Sequence, residues 1–355
     1  MRGLAVAGEL GSPTGLGAAA RSLAAGAQIL GFGGEGVTLG VGKVPLGQPP
    51  EGAALLLAVN APSLALMLAR AGGGFLRHRR VIGAWAWELP VVPPGWAAGG
   101  RYVHEVWAPS DFVGQALQRI LPQHVRRVPY PLALCGLPPA APAASLGLPA
   151  EAVVTVMVLS LGSSFTRKNP LAGIAAFRRA FGKRPDQMLL IKLSGARAFP
   201  REAARIEAEA GPNIRVIGGT WPPERMAALA ARADIVLSLH RAEGFGLVLA
   251  EAMLRGKPVV ATGWSGNLDF MDEKSAALIG YDLVPVADAS GIYKPLTGAF
   301  WAEPDIEHAA SWLRRLGDDA ALRAALGARA RDHARSRLDG TAMREALAAN
   351  GVEPV

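Results

Sequence analysis

Two carboxylates eight positions apart, Glu243 and Glu251, frame the stretch of this chain best suited to chemistry. Gly244-Phe245-Gly246-Leu247 lies between them. A carboxylate is a good acceptor for paired hydroxyls, such as those of a sugar ring or a ribose. Glycines let a ligand approach the backbone closely. A helix starting at Leu247 has unpaired first amides and the positive end of its dipole, so an anion fits there. One carboxylate could hold a sugar and the other a ribose, with phosphates between. A second group is cationic. Arg167 and Lys168 stand before Asn169-Pro170, where Asn at the cap and Pro at the first helical position make a helix start. Two cations beside that N-terminus would strengthen its attraction for a diphosphate.

The elements that must position these residues alternate between strand and helix. Residues 234–238 form a buried-strand pattern, 247–255 a helix pattern closed by Gly256, and 258–261 a second apolar strand. This is a βαβ unit, and ligands of parallel sheets bind outside the carboxyl ends of the strands. The half opens on an apolar strand at 153–160, followed by the loop that carries Gly162, Ser163, Arg167 and Lys168. Strands at 188–193 and 214–217 and helices at 222–232, 305–316 and 320–337 complete it. The first half reads the same way. A strand at 3–7 leads into a glycine loop containing Gly15 and Gly17, then a helix at 18–30 that bears Arg21. Strands follow at 55–59, 81–86 and 125–128, with helices at 63–71 and from Ser110-Asp111 to about 119. Pro90, Pro93 and Pro94 keep the segment after Trp85-Ala86-Trp87-Glu88 out of regular structure. The alternation predicts a doubly wound α/β domain in each half. The Pro/Ala/Gly-rich stretch 131–149, with Pro138, Pro139, Pro142 and Pro149, reads as a linker. The expected domains are 1–150 and 151–355.

Composition narrows the function classes. At 355 residues, half of them hydrophobic, the chain can build two cores. A single cysteine, Cys135, excludes an internal disulfide framework and suits the reducing cytoplasm. Residues 1–8 read as a strand rather than a secretory leader. The nearest approach to a spanning segment, 53–69, is interrupted by Asn60, Pro62 and Ser63. The net charge of +8 carries no aromatic interleaving of the kind nucleic-acid binders show. Its one tight cluster, Arg77, His78, Arg79 and Arg80, could meet anionic headgroups, giving peripheral contact at the inner membrane face. No Asp-x-Asp pair and no His/Cys metal spacing is present, and Asp318-Asp319 reads as a surface cap. Metal-independent chemistry is expected, with Lys168, Arg167 and the Leu247 helix start neutralising phosphate charge. Walker and nucleophile-elbow motifs are absent.

The stretch Glu243-Gly244-Phe245-Gly246-Leu247, Glu251-Ala252-Met253, Gly256 and Pro258-Val259-Val260-Ala261-Thr262 resembles the signature of family 4 retaining glycosyltransferases. That family has the GT-B fold, so the resemblance implies two Rossmann-like domains with a cleft between them and a terminal helix crossing back. It also implies transfer of a sugar from a nucleotide-diphosphate donor to an acceptor hydroxyl, with retention and with no cofactor beyond the donor. Glu251 would hold the nucleotide ribose. Glu243 and the amides of Gly244, Phe245, Gly246 and Leu247 would face the donor sugar and phosphate. Ser265, Gly266 and Asn267 would form a nearby donor-site loop. Gly15 and Gly17 look like the N-terminal glycine loop that approaches donor and acceptor, and Lys168 like the basic residue before the family's helix start.

Two positions depart from the pattern. Ser163 stands where many members carry Arg, so Arg167 supplies that charge or the site has one cation fewer. Trp87-Glu88 stands where many carry His-Asp, so either the contact to the donor sugar differs or Glu88 takes an acid/base role beside Glu243 and Lys168. The Trp-x-Trp-Glu-Leu form resembles a subgroup found with bacterial surface-polysaccharide synthesis, implying a saccharide or lipid-linked saccharide acceptor. Alternatives are a nucleotide-sugar epimerase, a phosphorylase, or a non-catalytic nucleotide-sugar-binding protein.

Overall fold

Leu4–Gly8 (β1) is small and apolar at every position, and every position is buried, as in a strand covered on both faces. It pairs in parallel with Gly33–Thr38 (β2) on one side and Ala54–Ala58 (β3) on the other. Val81–Ala84 (β4), Glu105–Ala108 (β5) and His124–Arg127 (β6) extend the sheet, in the order β2-β1-β3-β4-β5-β6. Helices Gly15–Ile29 (α1), Ala61–Ala71 (α2) and Asp111–Gln118 (α3) connect the strands, and Leu132–Cys135 (α4) is a short turn after the last of them. The computed structural model describes all residues except 40–46, 140–145, 150 and 289.

A second parallel sheet uses Val153–Ser160 (β7), Gln187–Ser194 (β8), Ile214–Ile217 (β9), Ile235–Ser238 (β10), Val259–Thr262 (β11) and Ala277–Ile279 (β12). Its order is β12-β11-β10-β7-β8-β9. Phe165–Lys168 (α5), Pro170–Phe181 (α6), Pro200–Glu207 (α7), Pro223–Arg232 (α8) and Leu247–Leu254 (α9) lie between its strands. An antiparallel hairpin, Tyr281–Pro285 (β13) with Phe300–Pro304 (β14), follows, and then Ile306–Asp318 (α10), Ala320–Arg337 (α11) and Thr341–Ala349 (α12). The core of this unit is built from Phe177 and Phe181 on α6, Ile191 and Leu193 on β8, and Leu313 and Leu316 on α10.

The chain divides into two compact units, Met1–Gly136 with Ser336–Val355, and Leu137–Arg335. The division falls earlier than residue 150 because arginines of the second unit hold the carbonyls of the proline-rich stretch. Arg255 donates to Pro138, Arg215 to Gly147 and Arg232 to Pro149. Pro142, part of the expected linker, lies outside the described residues. Three expectations are corrected. Gly15 and Gly17 belong to the first turn of α1, capped by the Thr14 side chain, rather than to a loop before it. The segment after Pro90 is not irregular throughout, since Pro94–Tyr102 winds as a 3₁₀ helix with Pro94 in the first turn. Asn169 sits at the cap position of α6 but in the left-handed conformation, with no side-chain capping bond.

The first unit is tied together by a buried carboxylate. Glu105 accepts from Trp107 Nε1 at 2.9 Å, Arg126 Nε at 2.8 Å and Asn350 Nδ2 at 2.9 Å. Burial alone would raise its pKa, but the hydrogen bonds from Arg126, Asn350 and Trp107 bring it below the ordinary value. Asn350 follows α12 and also accepts from Arg80 Nε at 2.8 Å, so one amide joins the last helix to the sheet. Asn350→Ala should therefore lower stability by about 1–3 kcal/mol. Urea unfolding reads this directly; an unchanged midpoint would show that the last helix is held by packing alone.

Candidate functional site

The second sheet, read as β9-β8-β7-β10-β11-β12, reverses direction between β7 and β10. Such a switch point opens a crevice outside the carboxyl ends of the strands. The segments leaving β7 and β10 are those that carry Arg167-Lys168 and Glu243–Leu247, so strand order alone brings the two sequence clusters together.

Glu243 is their meeting point. It is 7% exposed. Lys168 Nζ donates to Oε1 at 2.5 Å and Arg167 Nη1 lies 3.2 Å from Oε2. Burial pushes this carboxyl up, but the charges of Lys168 and Arg167 outweigh it and bring the pKa down to about 2. Its backbone is clamped as well. The Glu243 amide donates to Ser265 Oγ at 2.8 Å, and the Gly266 amide donates to the Glu243 carbonyl at 2.9 Å. Below them His240, fully buried, faces Asn267 Oδ1 across 3.2 Å, and Asn267 Nδ2 donates to the Thr262 carbonyl at 3.1 Å. Burial depresses the His240 pKa, so the ring is neutral at physiological pH.

The two cations differ. Arg167 is buried, with Nη1 donating to the Ala242 carbonyl at 2.7 Å and Nη2 to Ser163 at 2.9 Å. It is an internal brace rather than a second cation open to a ligand. Lys168 keeps 21% side-chain exposure. Ser163 contributes its carbonyl to that brace. Asn267 is buried scaffold beneath the loop, with Ser265 and Gly266 as its clamp on Glu243. Phe245 is also buried, its ring 4.9 Å from that of Phe270.

Gly246 has φ 95°, a conformation that glycine reaches without penalty, and starts α9 with no side-chain cap. The helix therefore presents its first amides and its positive dipole end beside Lys168 and Glu243. About one turn on, Glu251 is half-buried, and desolvation raises its carboxyl pKa despite the opposing charge of Arg255. A half-buried carboxylate of this kind suits a ligand that brings hydroxyls.

The remaining expected residues lie in the first unit. Gly15 and Gly17 start α1 beyond β1, and a Cβ on Gly17 would stand 2.3 Å from the Ser12 carbonyl, so the close loop needs glycine there. Glu88 follows β4, close enough to the buried Tyr130 for its charge to add to burial in raising the phenol's pKa. Trp87 packs its ring 5.1 Å from that of Trp96 and donates to the Val91 carbonyl. Of the basic cluster, Arg79 holds the Pro49 and Ala53 carbonyls and Arg80 holds Asn350, which leaves Arg77 and His78 exposed. His240 and Arg241 escaped the sequence reading because no spacing marks them, and Thr262 was read only as part of the signature strand.

The pairing carries a pH signature. A carboxyl whose folded pKa is depressed contributes stability that is full above its unfolded value, 4.5, and lost as pH falls toward about 2. Lys168→Met should lower stability at neutral pH by roughly 1–3 kcal/mol, and the deficit should shrink as pH falls below that unfolded value. Denaturant titrations across pH test this; a deficit that does not change with pH would mean the pair is not ionic.

Residues 154–333 match the family described as glycosyl transferases group 1, half of the chain. The D-inositol 3-phosphate glycosyltransferase of Corynebacterium kroppenstedtii is 30% identical over 198 residues, covering 53% of this chain and 38% of that protein. The enzyme of the same name from Xylanimonas cellulosilytica is 31% identical over 154 residues, covering 41% of this chain and 35% of that protein. The match spans less than half the length of these curated relatives. Among solved structures, Anabaena HepE in complex with UDP and glucose has a TM-score of 0.67 at 15% identity, with 98% of this chain and 99% of that one covered. A sucrose-phosphate synthase from Thermosynechococcus elongatus has a TM-score of 0.66 at 17% identity, with 98% of each chain covered. At these identities the likeness is one of fold, and that fold is GT-B. The chain belongs to the group 1 glycosyl transferase family.

Proposed function

We propose that this protein transfers a sugar from a nucleotide-diphosphate sugar to an acceptor hydroxyl, with retention at the anomeric carbon and without a metal. The observation that carries the reading is the Lys168–Glu243 pair beside the uncapped start of α9, with the half-buried Glu251 carboxylate on the same helix. Glu251 accepts from the ribose hydroxyls. The first amides of α9 and the Lys168 ammonium take the diphosphate and stabilise the charge it gains as the glycosidic bond breaks. Glu243, ionised throughout, accepts from donor-sugar hydroxyls near Lys168. Glu88 takes the acid/base role toward the acceptor. The reading invokes no cofactor beyond the donor.

HepE, in complex with UDP and glucose, supports a nucleotide sugar as donor by its likeness of fold. A saccharide or lipid-linked saccharide acceptor, with a role in surface polysaccharide or glycoconjugate synthesis, follows from the Trp85-Ala86-Trp87-Glu88-Leu89 form. Among the described residues no helix is long and apolar enough to cross a membrane. The reading places the reaction in the cytoplasm, with any peripheral contact at the inner membrane face made through the exposed Arg77 and His78 of the basic cluster.

A non-catalytic nucleotide-sugar binder is the second reading. It is favoured by Arg167 serving as an internal brace, which leaves Lys168 as the exposed cation of the pair. Diphosphate release from a donor separates the two, since a binder holds the nucleotide and releases none. A thermal-shift series with UDP, GDP, ADP and dTDP tests the site itself. One diphosphate near a hundredfold over its Kd should raise Tm by roughly 5 °C, and Glu251→Ala should lose most of that rise. An equal rise in wild type and variant would remove Glu251 from the site.

A further inference from the structure

The cationic turn α5 is four residues long, too short to hold its own geometry. It is entered through Ser164 at φ 70° and left through Asn169 at φ 50°, two left-handed non-glycine positions in six residues. Something outside the turn must hold it, and the contacts lead to the β13–β14 hairpin. This hairpin joins neither parallel sheet among the described residues.

Two pins reach across. Arg241, two residues before Glu243, donates its amide to the Arg167 carbonyl at 2.7 Å and Nη1 to the Thr166 carbonyl at 2.5 Å. The same residue grips the hairpin. Nε donates to Glu303 Oε2 at 2.6 Å, its carbonyl accepts from the Ala302 amide at 2.9 Å, and its guanidinium lies 5.6 Å from the centre of the Trp301 ring. The second pin is Asp288, in the segment joining β13 to β14. Its Oδ1 accepts from Ser164 Oγ at 3.0 Å, and the same hydroxyl accepts from the Arg167 amide at 3.1 Å. Asp288 is itself held by Ser290 Oγ and by the Tyr293 amide at 2.9 Å. The Ser164 entry of the turn and its central Thr166 and Arg167 carbonyls are thus tied to one hairpin.

We propose that the β13–β14 hairpin is a clamp that sets where the cationic turn presents Lys168, with Arg241 and Asp288 as positioning residues for the diphosphate of the donor. The inference rests on the nucleotide-sugar reading above. Neither pin touches the nucleotide. Each acts through α5, so loosening it weakens the grip on phosphate and leaves the nucleoside contact at Glu251 intact.

The test is a pair of affinities per variant. UDP with uridine, GDP with guanosine and ADP with adenosine are titrated into wild type, Arg241→Met, Arg241→Lys, Glu303→Gln and Asp288→Asn, and the pair that binds wild type is followed. The clamp predicts a loss of roughly tenfold in diphosphate affinity for Arg241→Met, smaller losses for Glu303→Gln and Asp288→Asn, and nucleoside affinity held within about twofold. Arg241→Lys, which keeps one charged donor, should recover part of the loss. If Arg241→Met fails to unfold cooperatively, the size-conserving Glu303→Gln and Asp288→Asn decide the matter. Diphosphate and nucleoside affinities falling together, or neither falling, overturns the clamp alone. Wild type that binds no diphosphate overturns the nucleotide reading, and the clamp with it.

Discussion

A carboxylate taken out of water has to be paid for by partners, and Glu243 is the residue on which this requirement falls hardest. Leaving it buried without them would cost several kcal/mol. Its partners, Arg167 and Lys168, come from a turn 76 and 75 residues earlier in the chain. That one demand accounts for much of the surrounding structure. The turn must enter and leave through left-handed residues so that consecutive side chains reach the same carboxylate. Arg167 must be sealed inside, against the Ala242 and Ser163 carbonyls. The Glu243 backbone must be fixed from the other side by Ser265 and Gly266.

The parallel sheet makes this assembly possible. Reversal of strand order between β7 and β10 leaves their carboxyl ends side by side with no crossover connection above them. The loops that follow can therefore meet, and the uncapped start of α9 faces the same space. A fixed ion cluster beside an open helix N-terminus is the preorganised, positively charged seat that the proposed function assigns to a diphosphate. The first unit repeats the principle in its own sheet, where order reverses between β1 and β3. There the loop before α1 is closed tightly enough to exclude any side chain at Gly17.

Much of this was legible in the residues and some was not, for physical reasons. Strand β7 and helix α11 were readable to the residue, because a long apolar run and a long stretch of helix formers leave no competing period. Strand β2, Gly-Gly-Glu-Gly-Val-Thr, was not, since an edge strand with few buried positions carries almost no hydrophobic signal. The hairpin was hidden for another reason: its strands are separated by a long segment and stabilised by contacts with Arg241, which no local pattern announces. In the site, residue types pointed to Glu243, Lys168 and Glu251. What they could not show was which of two adjacent cations turns inward. Nor could they show that Asn267 supports the loop from below, because burial is set by the tertiary fold.

The most direct test of the account is a crystal structure of the wild-type protein with the nucleoside diphosphate that stabilises it. The account predicts diphosphate oxygens within hydrogen-bond distance of the Leu247 and Val248 amides and of Lys168 Nζ, with the ribose hydroxyls on Glu251. A diphosphate bound away from the start of α9, with the ribose away from Glu251, would contradict it.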